Sequence, residues 1–143
     1  MPTRTRKSHR SYQKHLKSIP SSIDCEFCII SLEYPQFIES TEYFKVFQNI
    51  FPYSTWDMMR TEDHILVVPN QHTDKLSDLG TDERLDFMEI ISRYELDGYN
   101  VYARAPKSSV KSVHHQHTHL IKTRGKPQRF MLYAKRPYIR LVG

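Results

Sequence analysis

The chain has 143 residues and a formal net charge of +5, and this length suits one compact domain with its own core rather than two. The sequence contains no run approaching the roughly 18 apolar residues that a membrane-spanning helix needs, and no apolar segment follows the basic N-terminus as a secretory signal requires. We therefore expect a soluble, cytoplasmic, single-domain protein.

The charges are segregated along the chain. Residues 1–20 hold six Lys or Arg and no acid, residues 21–97 hold five bases and all sixteen acids, and residues 98–143 hold ten bases and no acid. A basic C-terminal part favours phosphate binding, and a basic N-terminal segment can contact nucleic acid without reading its sequence. A solvated basic surface is the alternative interpretation of the N-terminal segment.

Residues 1–22 are predicted to be a basic arm, either flexible or a marginal helix, outside the folded domain of residues 23–143. Only Tyr12, Leu16 and Ile19 are sizeable apolar residues in the arm, and they cannot bury enough surface to offset the entropy of ordering. We therefore exclude the arm from the predicted core.

Cys25 and Cys28 are the only cysteines and have a C-x-x-C spacing. In a chain without a secretory signal, this spacing indicates half a metal site or a redox pair rather than a disulfide framework. A thioredoxin-like redox motif is disfavoured, because neither Gly nor Pro lies between the cysteines and no βαβ pattern surrounds them.

One long helix is predicted among several strands. The apolar and polar residues predict strands over residues 43–49, 64–69, 99–103, 113–121 and 130–133. The helix is expected to begin at Thr81, as its N-cap, and to stop at Gly98. Its apolar stripe is predicted to contain Leu85, Phe87, Met88, Ile91 and Tyr94. Strands that can pair antiparallel around one helix indicate an α+β fold.

Three histidines alternate along the predicted strand 113–121. His115, His117 and His119 would share one face of it. At a rise of about 3.3 Å per residue, His115 and His119 would be roughly 13 Å apart, too far to ligate one ion unless the strand bends sharply. A three-histidine metal site is therefore disfavoured, although two neighbours can share an ion and leave the third free.

Such a row of imidazoles suits phosphate chemistry. A neutral imidazole can attack phosphorus as a nucleophile, and a second histidine can donate a proton to the departing group. The alternative is that the histidines are solvated or structural. Three of them at period two in a strand favour the catalytic interpretation.

The segment 112–121, Ser-Val-His-His-Gln-His-Thr-His-Leu-Ile, resembles the signature of the histidine-triad family. Residues 64–72 resemble another strand of that family and the turn after it, and residues 46–52 resemble its nucleotide-edge strand. The Cys-Glu-Phe-Cys segment 25–28 is similar to the zinc-binding start of some members. The resemblance covers residues from about 24 to 123 and implies a histidine-triad fold with a short N-terminal helical segment.

The resemblance implies a role for each catalytic histidine. His117 would attack the α-phosphorus of a nucleotide and form a transient nucleotidyl-histidine, which water or another acceptor later clears. His119 would contact phosphate and help the leaving group depart, and His64 would orient the row. Ser112 matches a hydroxyl that the family places near the leaving group.

The resemblance also implies a nucleotide pocket. Asn49 lies where the family has an Asp or Asn on the ribose hydroxyls, and Ile50 would line the base pocket, while Ser112 and His119 would bind the phosphate. Polar Gln116 and Thr118 depart from the more apolar pattern of the family. Two insertions, residues 55–63 and about 105–111, depart from simpler members of the family. Trp56, Lys107 and the adjoining Arg104 can add stacking or phosphate contacts, although packing is the alternative for the tryptophan.

A structural zinc site is implied by the same resemblance. Cys25 and Cys28 align with thiolate ligands of zinc-bearing members, in which His72 and His115 would complete the set. Four Cys2His2 ligands form a closed tetrahedral site that supports the fold and takes no part in catalysis. Two free cysteines that happen to lie two residues apart are the alternative.

The expected activity is that of a nucleotide hydrolase or nucleotidyl transferase acting on a nucleoside phosphoramidate, nucleotide ester or dinucleoside polyphosphate. The resemblance further implies a homodimer, because family members usually pair through their sheets. Two alternatives remain: a nucleotide- or nucleic-acid-binding module with little turnover, and a repair enzyme that removes adenylate from nucleic-acid ends.

Overall fold

The computed structural model describes residues 3–20, 24–128, 130–132 and 139–141, and the side chains among them up to residue 128. Its helices are α1 (Arg6–Ser18), α2 (Glu26–Ile29), α3 (Thr81–Leu96) and the 3-10 helix Leu76–Asp78. Its strands are β1 (Phe37–Ser40), β2 (Phe44–Gln48), β3 (Thr55–Trp56), β4 (Met59–Pro69), β5 (Asn100–Ala103), β6 (Thr118–Arg124), β7 (Phe130–Leu132) and β8 (Ile139–Leu141). No helix in the described ranges is long and apolar enough to cross a membrane.

An antiparallel sheet forms the centre of the fold. Its strand order is β1-β2-β4-β6-β5, and the short strand β3 pairs with the beginning of β4. Strands β7 and β8 form a separate antiparallel pair. The α+β class predicted from the sequence is therefore confirmed.

Alternation along the strands gives the sheet two buried faces. On one face, α3 covers a core to which β2, β4 and β6 contribute Phe44, Val46, Ile65, Val67 and Leu120 and the helix contributes Ile90. On the other face, Phe27 of α2 packs with Phe47, Leu66 and Val68. His64 and His119 alternate with the α3-facing residues Ile65 and Leu120, so they lie on the α2 face.

Helix α3 confirms the predicted helix but corrects its start and part of its stripe. Thr81 is the first helical residue and not the N-cap; Gly80 is the N-cap, and its N–H donates to Glu83 Oε2 at 2.6 Å. Leu85 and Met88 were predicted to face the core, yet they are 61% and 54% exposed. The buried stripe runs instead through Phe87, Ile90, Ile91 and Tyr94.

The C-terminus of α3 agrees with the prediction, since the helix ends just before Gly98. Gly98 adopts φ +88°, a left-handed conformation that glycine tolerates best, and its N–H donates to the Glu95 carbonyl at 2.9 Å.

The predicted strand 113–121 is wrong over its first half. Pairing between β4 and β6 begins only at Val67 opposite Thr118, so His115 and His117 lie in the loop before β6 and only His119 is in the strand. The cause is that other groups satisfy the backbone in this region. The Pro69 carbonyl accepts from the His115 ring, and the Gln116 N–H donates to the Thr73 carbonyl.

The predicted strands 43–49, 64–69 and 99–103 correspond to β2, β4 and β5. All but one of their ends lie within one residue of the prediction. The exception is β4, which begins at Met59 because Asp57 and Met58, both at positive φ, form a hairpin turn from β3. Strand β7 lies inside the predicted strand 130–133, whose last residue is outside the described residues.

Helix α1 lies within the predicted basic arm and corresponds to its helical alternative. None of its residues is buried, which agrees with their exclusion from the core. The segment before it is nevertheless tied to the β2–β3 connection, because Ser54 N–H donates to the Thr3 carbonyl at 2.6 Å and Thr5 N–H donates to Ser54 Oγ at 3.1 Å.

Candidate active site

His117 and His119 are buried neighbours on the α2 face of the sheet. Their ring centroids are 4.9 Å apart in an edge-to-face arrangement, and the two residues are 8% and 4% exposed. Strand periodicity alone does not place the His117 ring, because this residue precedes β6. A hydrogen bond holds it instead, since Nδ1 lies 2.8 Å from the His115 carbonyl oxygen.

That hydrogen bond determines which nitrogen of His117 is available for chemistry. A carbonyl only accepts, so Nδ1 carries the proton and Nε2 keeps its lone pair. Burial is the main cause that lowers the pKa of His117 to about 4. The ring is therefore neutral near pH 7 and presents an unprotonated Nε2, as a nucleophile must.

A chain of hydrogen bonds sets the protons on His64 and His119. The Tyr53 N–H donates to His64 Nδ1 at 3.0 Å, so His64 Nε2 carries the proton and donates to His119 Nδ1 at 2.9 Å. His119 then carries its proton on Nε2, 3.5 Å from Tyr53 Oη. Burial lowers the pKa of His64 to about 3 and that of His119 well below its ordinary value. His119 can therefore donate a hydrogen bond as a neutral ring.

A cleft of about 1580 Å³ opens beside these rings. The residues predicted to bind nucleotide all line it together with His117 and His119: Asn49, Ile50 and Ser112. Asn49 Oδ1 accepts from the Phe51 N–H at 2.9 Å, and its Nδ2 lies 3.3 Å from His64 Nε2. The Ser112 hydroxyl is hydrogen-bonded to that of Tyr12, which belongs to α1.

A second cluster joins the two cysteines to two histidines. One ligand atom each from Cys25, Cys28, His72 and His115 lies within 4.8 Å of all the others. Cys25 Sγ is 3.3 Å from His115 Nδ1, and Cys28 Sγ is 3.2 Å from His72 Nδ1. Ligand atoms around a tetrahedral zinc with bonds of about 2.0–2.3 Å are roughly 3.5 Å apart, so these four residues are close enough to hold a metal ion.

The protonation of His115 suits a metal ligand. Its Nε2 lies 2.9 Å from the Pro69 carbonyl oxygen and carries the proton, which leaves Nδ1 free and facing the sulfurs. Burial lowers the pKa of His115 and keeps the ring neutral. The first histidine of the row therefore belongs to the cysteine cluster, while the other two line the cleft.

Comparison with known proteins decides the family. The sequence matches the family described as HIT domain over residues 33–126. The chain belongs to the HIT domain family. It is 35% identical over 115 residues to adenosine 5'-monophosphoramidase HNT1 of Saccharomyces cerevisiae, an alignment that covers 75% of this chain and 68% of that protein. It is also 29% identical to an uncharacterized HIT-like protein of Methanocaldococcus jannaschii, with 68% and 77% covered.

Solved structures give the same HIT fold. A histidine triad nucleotide-binding protein from Candida albicans superposes with a TM-score of 0.54 at 28% identity, covering 70% of this chain and 76% of that one. A hypothetical protein from Leishmania major gives a TM-score of 0.56 at 26% identity, covering 72% and 76%. A HIT family hydrolase from Legionella pneumophila, at 23% identity and a TM-score of 0.53, covers 71% and 95% and supports the fold alone.

The HIT domain match leaves out the N-terminal segment, α1 and the cysteine pair. Sequence reasoning missed the residues that this segment and α1 add to the cleft. Arg4 and Tyr12 line the cleft, and Tyr12 also packs edge-on against Phe51 with centroids 5.4 Å apart. Arg4 and Tyr12 contact Phe51, and Tyr12 also contacts Ser112, so the partners are 39 to 100 positions apart in the sequence. No local sequence pattern signals contacts of this kind.

Tyr53 and Phe27 were also missed, although both touch the catalytic rings. Tyr53 is 3% exposed, and its ring centroid lies 4.6 Å from that of His64 and 5.2 Å from that of His119. The Phe27 ring packs edge-on against His117 at 5.2 Å. Tyr53 lies between predicted elements, where periodicity carries no signal.

The three residues in or beside the predicted insertions differ in their positions relative to the cleft. Trp56 stacks on Tyr53 and packs against Tyr102, with centroids 5.9 and 4.7 Å apart, so packing accounts for it. Arg104 lines the cleft and donates from Nη2 to Tyr53 Oη at 3.0 Å. Lys107 is exposed and does not line the cleft.

Proposed function

We propose that this HIT domain is a nucleotide hydrolase or nucleotidyl transferase that reacts at the α-phosphorus through a nucleotidyl-His117 intermediate. The observation that carries the proposal is the hydrogen bond between His117 Nδ1 and the His115 carbonyl beside the cleft, from which we infer an unprotonated Nε2. Substrates would be nucleoside phosphoramidates, nucleotide esters or dinucleoside polyphosphates. The similarity to a protein described as an adenosine 5'-monophosphoramidase supports this choice.

In the first half of the reaction, His117 Nε2 would bond to phosphorus while the bond to the leaving group breaks. The leaving atom would keep the electron pair of that bond, and an amine leaving group would take its proton from water. His119 Nε2–H would donate to a phosphate oxygen or to the leaving atom, and the hydrogen bond from His64 would hold the His119 ring in that orientation. In the second half, water or another acceptor would attack phosphorus and free the nitrogen.

The remaining nucleotide contacts are assigned by their place in the cleft. Ser112 would contact the leaving group, Ile50 would line the base pocket, and Asn49 would contact the ribose. In the structure the Asn49 carbonyl oxygen is bound to the Phe51 N–H, so a ribose hydroxyl would share this acceptor, which has a second lone pair.

Turnover of adenosine 5'-monophosphoramidate by purified protein tests the proposal. We expect His117→Ala to reduce kcat/KM by a factor on the order of 10³ or more, because the covalent route is removed. The matched control is His114→Ala, since His114 is an exposed histidine in the same loop and its replacement should leave turnover within about twofold. Equal activity of the wild type and a folded His117→Ala protein would disprove the nucleophile.

We further propose that the Cys25, Cys28, His72 and His115 cluster holds a structural Zn²⁺. The support is the closeness of the four ligand atoms and the bond from His115 to the Pro69 carbonyl. When bound, the ion would supply cross-linking of loops and no catalytic chemistry, because four protein ligands leave no open position.

We also propose that the chain forms a homodimer through the β5 side of its sheet. Strand β5 is at an edge of the sheet, and exposed apolar side chains occur on it and on the neighbouring α3, namely Val101, Leu85 and Met88. Apolar groups beside an unpaired strand edge favour association with another sheet.

A second candidate function is action on adenylated nucleic-acid ends, or binding of nucleic acid with little turnover. The observation in its favour is that five bases on α1 are exposed: Arg6, Lys7, Arg10, Lys14 and Lys17. This helix lies in the arm of residues 1–22, which we propose to be an addition to the folded domain of residues 23–143. Replacing Lys7, Lys14 and Lys17 by Gln removes exposed bases that do not line the cleft. A loss of turnover on an adenylated oligonucleotide but not on a free dinucleotide would support this second function, and an unchanged ratio of the two would reject it.

A further inference from the structure

We propose that Arg4 and Arg104 form a second anion-binding site in the cleft, which takes the leaving-group phosphates of a nucleotide polyphosphate. This inference rests on the proposed function and narrows its substrate class. It predicts that the protein prefers dinucleoside polyphosphates to substrates with an uncharged amine as the leaving group.

Arg104 is placed beside the reacting rings by Tyr53. Its Nη2 donates to Tyr53 Oη at 3.0 Å, and the same oxygen lies 3.5 Å from His119 Nε2. Its guanidinium carbon is also 5.4 Å from the centroid of the Tyr102 ring. One hydroxyl therefore separates the Arg104 guanidinium from the nitrogen that we assign to the phosphate.

Arg4 reaches the same tyrosine from the N-terminal segment. Its guanidinium carbon lies 4.9 Å from the centroid of Tyr53 and 4.3 Å from that of Tyr12. Both Nε and Nη2 donate to the Phe51 carbonyl, at 3.3 and 3.0 Å. The hydrogen bonds of Thr3 and Thr5 to Ser54 fix the backbone on both sides of Arg4.

Neither guanidinium is paired with an acid among the described residues. Within the described part of the chain, ion pairs within 4.0 Å join His15 to Glu26 and Arg93 to Glu39, and neither Arg4 nor Arg104 takes part in one. Both side chains are half-buried in the cleft that contains His117 and His119. Removing cations from water without an opposite charge is unfavourable, so a bound anion would stabilise this arrangement.

Packing alone is the competing explanation of the two arginines, because guanidinium groups stack readily on aromatic rings. It does not account for two half-buried like charges that both contact Tyr53 and form no ion pair within the described residues. The free N–H groups of a guanidinium suit bidentate phosphate binding. The cleft volume of about 1580 Å³ also exceeds the roughly 300–1,000 Å³ of ordinary ligand pockets, leaving room for more than one nucleotide.

The chemistry of a polyphosphate leaving group fits this site. As the bond from His117 Nε2 to the α-phosphorus forms, the P–O bond to the next phosphate breaks, and its electron pair leaves with that oxygen. The guanidinium groups would stabilise the charge that develops there. Water oxygen then bonds to phosphorus, the P–N bond breaks and its electron pair returns to Nε2. One water proton goes to solvent, and the other stays on the product phosphate.

The test compares two substrates on the full chain. We expect Arg104→Gln and Arg4→Gln each to lower the ratio of kcat/KM for diadenosine tetraphosphate to that for adenosine 5'-monophosphoramidate by about 10- to 100-fold. Arg104→Lys, which keeps the charge without the bidentate geometry, should lower it less. Arg124→Gln, which removes an exposed arginine outside the cleft, is the matched control and should not change the ratio.

Direct binding of inorganic tripolyphosphate separates this inference from the proposed function. Calorimetry at fixed salt should show binding that weakens at least tenfold in the Arg104→Gln and Arg4→Gln proteins and is kept in Arg124→Gln. Arginine-dependent binding without turnover of either substrate would support the anion site and reject the proposed reaction. Two results would overturn the anion site: tripolyphosphate binding of unchanged affinity in both arginine variants, or an equal loss of kcat/KM for both substrates in these variants.

Discussion

At the scale of single residues, the local hydrogen bonds of the histidines matter more than their spacing. His115, His117 and His119 are separated by two positions each, but they have three different partners: the Pro69 carbonyl, the His115 carbonyl and the His64 ring. Each partner fixes which ring nitrogen is protonated. The row is therefore divided into a ligand, a nucleophile and a hydrogen-bond donor.

Burial of His117 leads to a prediction about pH. Because its pKa is lowered to about 4, the ring stays neutral throughout the range from pH 6 to 8, and kcat/KM should change less than about twofold over that range. A histidine with the ordinary pKa of about 6.5 would be only about one-quarter neutral at pH 6. Measuring kcat/KM of the wild type from pH 6 to 8, with His114→Ala as the control, distinguishes the lowered pKa of His117 from the ordinary one. A fourfold loss by pH 6 would refute the assignment.

At the scale of elements, the strands with an apolar core face could be predicted from the sequence. The strand and helix boundaries that depend on contacts with distant residues could not. Phe44, Val46, Ile65 and Val67 alternate in the sequence and do so in the sheet. The start of β6 could not be predicted, because it depends on the Pro69 carbonyl being taken by a histidine ring 46 positions away.

The contacts of helix α1 with the rest of the protein could not be predicted from the sequence either. Its composition indicates a weak, basic helix, and nothing local reveals that Tyr12 reaches Ser112 across the cleft. The N-cap of α3 is a smaller case. Thr81 has the better capping side chain, but the Glu83 carboxylate binds the Gly80 N–H and moves the start of the helix by one residue.

The proposed dimer is tested at the edge of the sheet. Val101→Glu places a charge on the exposed edge strand β5 and should shift the protein from dimer to monomer in sedimentation equilibrium, because an apolar interface does not accept an unpaired carboxylate. Ile38→Glu is the matched control: Ile38 is also exposed, but it lies on β1 at the opposite edge. A wild type that is already monomeric would rule out the interface.

At the scale of the whole molecule, the cysteine cluster connects parts of the chain that are far apart in sequence. Cys25 precedes α2, Cys28 lies within it, His72 follows β4, and His115 precedes the nucleophile. The sequence indicated this set only through the resemblance to zinc-bearing relatives, since C-x-x-C spacing alone also suits a redox pair. An ion there would fix the loop that positions His117.

Metal removal should therefore lower stability. Metal analysis is expected to find about one zinc per chain, and Cys25→Ser should release it and cost on the order of 3 kcal/mol, or roughly 6–12 °C in Tm. A chelator should lower the Tm of the wild type and leave that of Cys25→Ser unchanged, since the variant has no ion to lose. Native protein free of metal would contradict the zinc proposal.

His117 is proposed to carry the nucleotide covalently during turnover. Rapid quenching of the wild-type protein during turnover of adenosine 5'-monophosphoramidate, followed by mass spectrometry of its peptides, would trap this adduct. We expect an adenylyl group on the peptide containing His117, at Nε2, which disappears in His117→Ala and persists in His114→Ala. Adenylation of another residue, or turnover with no covalent adduct at any time, would contradict it.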